Sequence, residues 1–195
     1  MNLALILIDI QNDFWQPLQV LPHLATFPAS VERLLQSARA RNLTIIHTQA
    51  WFNPDRSDWM LFYRPEGRGT VPCIADTAGA EFTAFAMPQE GEIIIKKQAF
   101  DGFVGTNLDL ILREHDIQAA LIAGLETSVC VLFTANSAYL RRIVPLVVED
   151  ASGDELSRHK ATMEMYTNLS FKSVTTRQVL HEWDKVLHLA GQSVQ

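Results

Sequence analysis

The sequence predicts an α/β fold, a doubly wound three-layer sandwich around a central, mostly parallel six-stranded sheet, in a single domain over residues 1–195. Three observations predict it. Short apolar runs alternate with stretches of helical periodicity, the pattern of strands joined by crossover helices. The first run, "LALILIDI", is continuously apolar, as a strand covered on both faces requires. With 195 residues, 48% of them hydrophobic, the chain can also bury one substantial core.

The elements follow in order. After the first strand, "PASVERLLQSARARN" places Val31, Leu34, Leu35 and Ala38 on one helical stripe ended by Asn42. "LTIIHTQ" reads as the second strand and "EIIIKK" as the third. "TNLDLILREHD" reads as a helix opening at Thr106, with Asp109 three residues on in a capping-box spacing. "IQAALIAG" is the fourth strand and "TSVCVLFTANSAYLRR" its following helix. "VPLVVED" is the fifth strand, "DELSRHKATMEMYTNL" a helix, and "FKSVT" the sixth strand. "TRQVLHEWDKVL" is the closing helix, with Thr175 and Gln178 spaced as a capping box. Residues 51–91 break the pattern: they are rich in aromatics, Pro and Gly, and too long for an idle connection. Such a loop commonly shapes a binding site, and a short helix is expected around Ala80–Phe85.

Composition excludes several functions. A net charge of −6 without a Lys/Arg cluster argues against nucleic acid or an anionic membrane as partner. The run "LALILI" is too short to span a bilayer, and no cationic segment precedes it, so no signal peptide is expected. Cys73 and Cys130 form neither a CxxC nor a disulfide framework, and free thiols in a cytoplasmic setting are expected. No phosphate loop, GxSxG elbow or HExxH is present; "EGRGT" lacks the rest of a dinucleotide fingerprint, and the six histidines are scattered singly.

In a doubly wound sheet, ligands sit outside the carboxyl ends of the strands. Asp9 ends the first strand, Lys97 the third, and Cys130 lies in the first turn of the helix after the fourth. Strand alternation turns Lys96 the other way. Each has an ordinary alternative: Asp9 as a turn cap, Lys97 as a solvated strand end, Cys130 as a packing residue. Their common rim favours the functional reading. A helix N-terminus and a nearby ammonium are expected to raise the thiolate fraction of Cys130. Asp9 would serve as general base, and backbone N–H groups at the helix start would hold an oxyanion.

On these segments the chain resembles the isochorismatase-like (cysteine hydrolase) superfamily, which includes nicotinamidases, N-carbamoylsarcosine amidohydrolases and ureidoacrylate hydrolases. "LILIDIQNDF" resembles the family's first strand, with its aspartate at Asp9. "IIIKKQAFDGFVGTNLDLIL" resembles its K-x-x-x-S-x-F-x-x-T-x-L segment, which assigns the lysine to Lys97 and puts Asp101 where serine is common. "LIAGLETSVCV" resembles its G-x-x-T-x-x-C segment, with the nucleophile at Cys130, and "VVEDASGD" with "RHKATMEMY" its continuation. The resemblance implies a cysteine-dependent amidohydrolase acting on a small amide or ureido substrate through a thioester. It also implies a cis peptide between Leu125 and Glu126, an oxyanion hole made by the N–H groups of Glu126 and Cys130, and a homo-oligomer to whose interface the apolar tail "VLHEWDKVLHLA" would contribute.

Where nicotinamidases carry a D-W-H-P-like metal pattern, this chain reads "QAWFNPD", with Ala50 and Phe52 in place of two ligands, so neither metal nor other cofactor is expected. Gln11, Phe14, Trp51 and Phe103, with Trp15 and Phe52, are the expected substrate contacts; no cationic cluster announces a carboxylate-bearing substrate, though Arg64 or Arg68 could supply its partner. The alternative is a non-amidase or inactive homologue acting through binding or oligomer contacts.

Overall fold

The computed structural model describes residues 1–64 and 71–192. Six strands form one sheet: β1 (Asn2–Ile8), β2 (Thr44–Ala50), β3 (Ile93–Lys97), β4 (Ile117–Leu125), β5 (Val144–Gly153) and β6 (Lys172–Val174). Their order is β3-β2-β1-β4-β5-β6, and every pairing is parallel. Ile6 at the sheet's centre stands opposite Ile46 on β2 and Ile122 on β4. The unbroken apolar run of β1 serves both faces, because successive side chains alternate. Leu3, Leu5 and Leu7 pack under α2 (Phe27–Ala40), α6 (Thr176–His181) and α7 (Trp183–Ala190). Ala4, Ile6 and Ile8 pack under α3 (Leu108–Glu114), α4 (Leu132–Leu140) and α5 (Leu156–Tyr166). The chain therefore makes three layers, wound outward in both directions from β1 and β4. The switch in winding direction at that pair opens a crevice at the strands' carboxyl ends.

Several local expectations are corrected. At the start of α3, Thr106 Oγ1 accepts from Leu108 N at 3.2 Å, but Asp109 makes no capping box; it turns outward to Arg113 at 2.6 Å. The strand β5 outruns "VVED" because it bulges: from the pair Ile122–Val147 to the pair Gly124–Ser152 it advances five residues while β4 advances two. The bulge releases Asp150, whose Oδ1 accepts from Thr176 N at 2.7 Å at the head of α6. The Thr175–Gln178 capping box does form, but the closing helix breaks at Glu182 into α6 and α7. The apolar face of α7 packs on its own sheet through Val186 and Ala190.

The irregular segment carries a small core of its own, including Phe52, Trp59, Val71 and Cys73. Instead of one helix around Ala80–Phe85 there are two 3₁₀ turns, Ala78–Ala80 and Ala84–Ala86. Extended backbone separates them at Glu81 and Phe82, where Phe82 bridges to Gln11. The short helix α1 (Asn12–Trp15) lies beside this loop. Among the described residues, no helix is long and apolar enough to cross a membrane.

Candidate active site

The site begins where β1 stops. Asp9 takes a left-handed backbone conformation (φ 49°), which ends the strand and turns its side chain inward, and it is wholly buried. Its Oδ1 accepts from Thr48 Oγ1 at 2.7 Å, and its Oδ2 faces Lys97 Nζ at 2.7 Å. Lys97, at the end of β3, is buried as well, and its ammonium donates to Ala99 O (2.6 Å), Phe100 O (3.2 Å) and Cys130 Sγ (3.6 Å). An ammonium is stable in such a place only with its donors satisfied. Burial opposes the charge of Lys97, but Asp9 and Cys130 more than offset that, and its pKa is held above the ordinary lysine value. Lys96 points the other way and lies 3.4 Å over the Trp51 ring.

Cys130 sits in a π-helical turn, Thr127–Val131, that leads into α4. The turn is reached through Gly124 (φ 134°), where a Cβ would lie 2.1 Å from Ile8 O, so only glycine lets β4 pass β1 there. The Leu125–Glu126 peptide is cis. Glu126 O then accepts from Val129 N (3.1 Å) and Val131 N (3.2 Å), coiling the backbone around the cysteine. Asp154 braces the turn by accepting from Ser128 N at 2.8 Å, and His159 Nδ1 meets Thr127 Oγ1 at 2.9 Å.

The expected rise in the thiolate fraction of Cys130 is opposed by burial. Burial pushes the Cys130 thiol above the ordinary cysteine value; Lys97 pulls it down without prevailing, and Asp9 pushes it further up. Burial thus favours the protonated thiol, whose sulfur accepts from Lys97 Nζ at 3.6 Å. Desolvation of the anion outweighs one ammonium whose charge is already shared with Asp9.

These three groups open on a cavity of about 300 Å³. Phe14 lines it, with Phe52, Phe62, Tyr63 and Phe100 on the side of β2 and β3, and Glu126 and Arg158 on the side of β4 and β5. Arg158 Nη1 is 3.7 Å from Glu126 Oε2 and 4.0 Å from Asp154 Oδ1. Burial, helped by Asp154 and opposed by Arg158, raises the Glu126 carboxyl above the usual glutamate value.

Four expected contacts lie elsewhere. Gln11 is buried, but its amide donates to Ala50 O (2.9 Å) and Ala80 O (2.7 Å) and accepts from Ala50 N (2.8 Å), stitching the long loop to β2. Trp51 turns away under Lys96, and Phe103 packs in the core with Arg141 4.5 Å over its ring. Trp15 likewise stacks on Phe27 in the opposite layer, at 5.1 Å. Arg64 Nε is engaged with Trp59 O at 2.8 Å, and Arg68, with "EGRGT", lies outside the described residues. Asp101 bridges the turn after β3, accepting from Phe103 N at 2.9 Å and from Ser137 Oγ on α4. Arg158, Phe62, Tyr63 and Phe100 escaped the sequence reading; only the aromatic richness of the long loop hinted at two of them. Ala50 and Phe52 give the wall apolar surface.

The isochorismatase domain profile matches residues 3–179. The chain belongs to the isochorismatase family. Within it, the N-carbamoylsarcosine amidase of an Arthrobacter species is 29% identical over 160 residues, 78% of this chain and 60% of that protein. A probable inactive nicotinamidase of Arabidopsis thaliana is 29% identical over 95% of this chain and 96% of its own length. The ureidoacrylate amidohydrolase RutB of Yersinia enterocolitica is 28% identical over 76% of this chain and 74% of its own. Among solved structures, an isochorismatase family protein from Desulfovibrio vulgaris superposes with a TM-score of 0.83 at 27% identity, covering 96% of this chain and 98% of that one. The N-carbamoylsarcosine amidase of Thermoplasma acidophilum superposes with a TM-score of 0.75 at 25% identity, covering 90% and 97%.

Proposed function

We propose that this isochorismatase-family chain is a cysteine-dependent hydrolase of a small amide or ureido C–N bond, working through a thioester on Cys130. The observation that carries the reading is the contact of Asp9, Lys97 and Cys130 at the floor of one cavity. Asp9 takes the proton from the thiol as sulfur attacks the carbonyl carbon. The backbone N–H groups of Glu126 and Cys130 hold the oxyanion, the kind of contact whose loss typically costs on the order of 10²-fold in rate. Lys97 holds Asp9 in place and compensates the charge. The C–N bond breaks, the leaving nitrogen receives the proton through Asp9, and water deprotonated by Asp9 cleaves the thioester, returning the proton to sulfur.

The walls support a narrower substrate class. Arg158 is the cation other than Lys97 among the described lining residues, and its contacts with Glu126 and Asp154 are long enough to yield to a ligand carboxylate. Two relatives bear names of ureido compounds with a carboxylate, N-carbamoylsarcosine and ureidoacrylate. A ureido acid with a small apolar or planar body fits both halves of the cavity.

The test is intact-protein mass spectrometry alongside hydrolysis of a panel of small amides and ureido acids. Wild type is expected to turn over at least one compound and to carry a transient acyl mass on Cys130. The Cys130→Ala variant is expected to fold, with no turnover. Retained turnover in that variant overturns the scheme.

A further inference from the structure

The two halves of the cavity face each other across β1. Glu126 and Cys130 come from the connection after β4, whereas Tyr63, Phe52 and Phe62 come from the connection between β2 and β3. Tyr63 is built into that far wall. Its ring meets Phe52 edge-on at 5.6 Å and Phe62 at 5.2 Å, and its N–H donates to Met60 O at 2.9 Å. These contacts fix the ring and leave the hydroxyl unused: it has no hydrogen-bond partner among the described residues. Tyr63 is half-buried, and its hydroxyl is free to take a ligand atom, unlike the neighbouring Trp59, whose Nε1–H is committed to Asn53 O at 2.7 Å. Tyr63 lines the same cavity as Cys130, Glu126 and Lys97, and burial raises its hydroxyl above the ordinary tyrosine value. The hydrolysis scheme gives it no task.

We infer that the Tyr63 hydroxyl oxygen accepts the N–H of the scissile nitrogen and so selects amides and ureas over esters. The inference rests on the proposed hydrolase reading. In the pose this inference requires, the carbonyl oxygen lies on the β4 side at the Glu126 and Cys130 amides, and the leaving substituent rather than the acyl body faces the β2–β3 wall that Tyr63 lines. In an amide or urea that substituent carries a hydrogen for the hydroxyl oxygen; an ester oxygen carries none. A site built to bond an N–H discriminates against the analogue lacking it.

The experiment compares wild type and Tyr63→Phe on an amide and an ester of the same acyl group, with kcat and KM measured separately. Phenylalanine retains the ring and its two aromatic contacts, so the melting temperature should not move. The variant is expected to lose roughly three- to tenfold in kcat/KM on the amide and to stay within about twofold of wild type on the ester. An equal loss on both substrates, or no loss on the amide, overturns the assignment. A wild type inert toward every amide and urea tested overturns the hydrolase reading itself, and the role of Tyr63 falls with it. That outcome is seen without the variant, so the two failures are separable.

Discussion

Lys97→Met isolates what the buried ion pair contributes. The ammonium is 2.7 Å from Asp9 Oδ2, with the lysine 1% and the aspartate 0% exposed, so neither charge has water to fall back on. Methionine fills similar volume but strands the carboxylate, and it also removes the donor that Ala99 O and Phe100 O share. Breaking a buried pair from one side costs about 3–5 kcal/mol, most of it the desolvated charge left behind. In a chain of this length that corresponds to a fall in melting temperature of roughly 10 °C. Removing both charges in Asp9→Asn/Lys97→Met leaves no stranded ion, and asparagine can still accept from Thr48 Oγ1. The double variant should therefore be more stable than the two single losses added together imply, by about 2 kcal/mol or more. Urea unfolding followed by tryptophan fluorescence measures all four corners of the cycle. Additive single losses, or Lys97→Met within about 1 kcal/mol of wild type, would refute the view that the pair is held as two desolvated charges.

Three further outcomes are expected. Because burial raises the Cys130 thiol, alkylation of the resting protein by iodoacetamide should be slow at neutral pH and climb only above the ordinary cysteine range; peptide mapping showing a midpoint below about pH 8 would contradict this. On the opposite face of the sheet, Glu92 receives Arg39 (2.7 and 3.1 Å) and His47 (2.8 Å). Burial pushes the Glu92 carboxyl up, yet the bonds from Arg39, Gln89 N–H and His47 prevail and hold it down at about 2. A depressed carboxyl stabilises above its unfolded value and loses that contribution as pH falls, so Glu92→Gln should flatten the stability profile between about pH 4.5 and 2; an unchanged slope counts against it. Burial also lowers His47, whose neutral form is favoured, so its own contribution is lost as pH drops below its unfolded value near 6.5. Finally, Arg158→Leu should raise KM for ureido acids by roughly ten- to a hundredfold while leaving neutral amides nearly unchanged; an equal rise for both removes the carboxylate argument.

What the sequence made legible was local and periodic. The apolar runs located all six strands, and alternation within "IIIKK" correctly turned Lys97 inward and Lys96 outward. The same rule fails past the end of β1 at Ile8. Strand parity would put Gln11, two residues after Asp9, on the same side, but Asp9 has already left the strand at φ 49°, and parity ends with the pleat. The cavity's aromatic wall was illegible for another reason. Residues 51–91 pack by turns and a private core rather than by any period, so parity could not tell that Phe52 enters the cavity while Trp51 leaves it. Arg158 reaches the site because α5 follows β5 across the switch point, a consequence of strand order that no residue near Arg158 encodes.

The thiol shows the deepest limit. Counting charges in sequence gives Cys130 an ammonium and a helix start, both acidifying. Only the fold shows that Asp9 shares the ammonium and that water is gone. Under the proposed scheme that correction has a consequence for chemistry. A proton that burial favours on sulfur, with Asp9 beside Lys97 at hand to take it, protects the nucleophile at rest. It then allows sulfur to form its bond and lose its proton together when a carbonyl reaches the cavity floor. Under that scheme Asp9, held by Lys97 at 2.7 Å, takes the proton only as sulfur attacks.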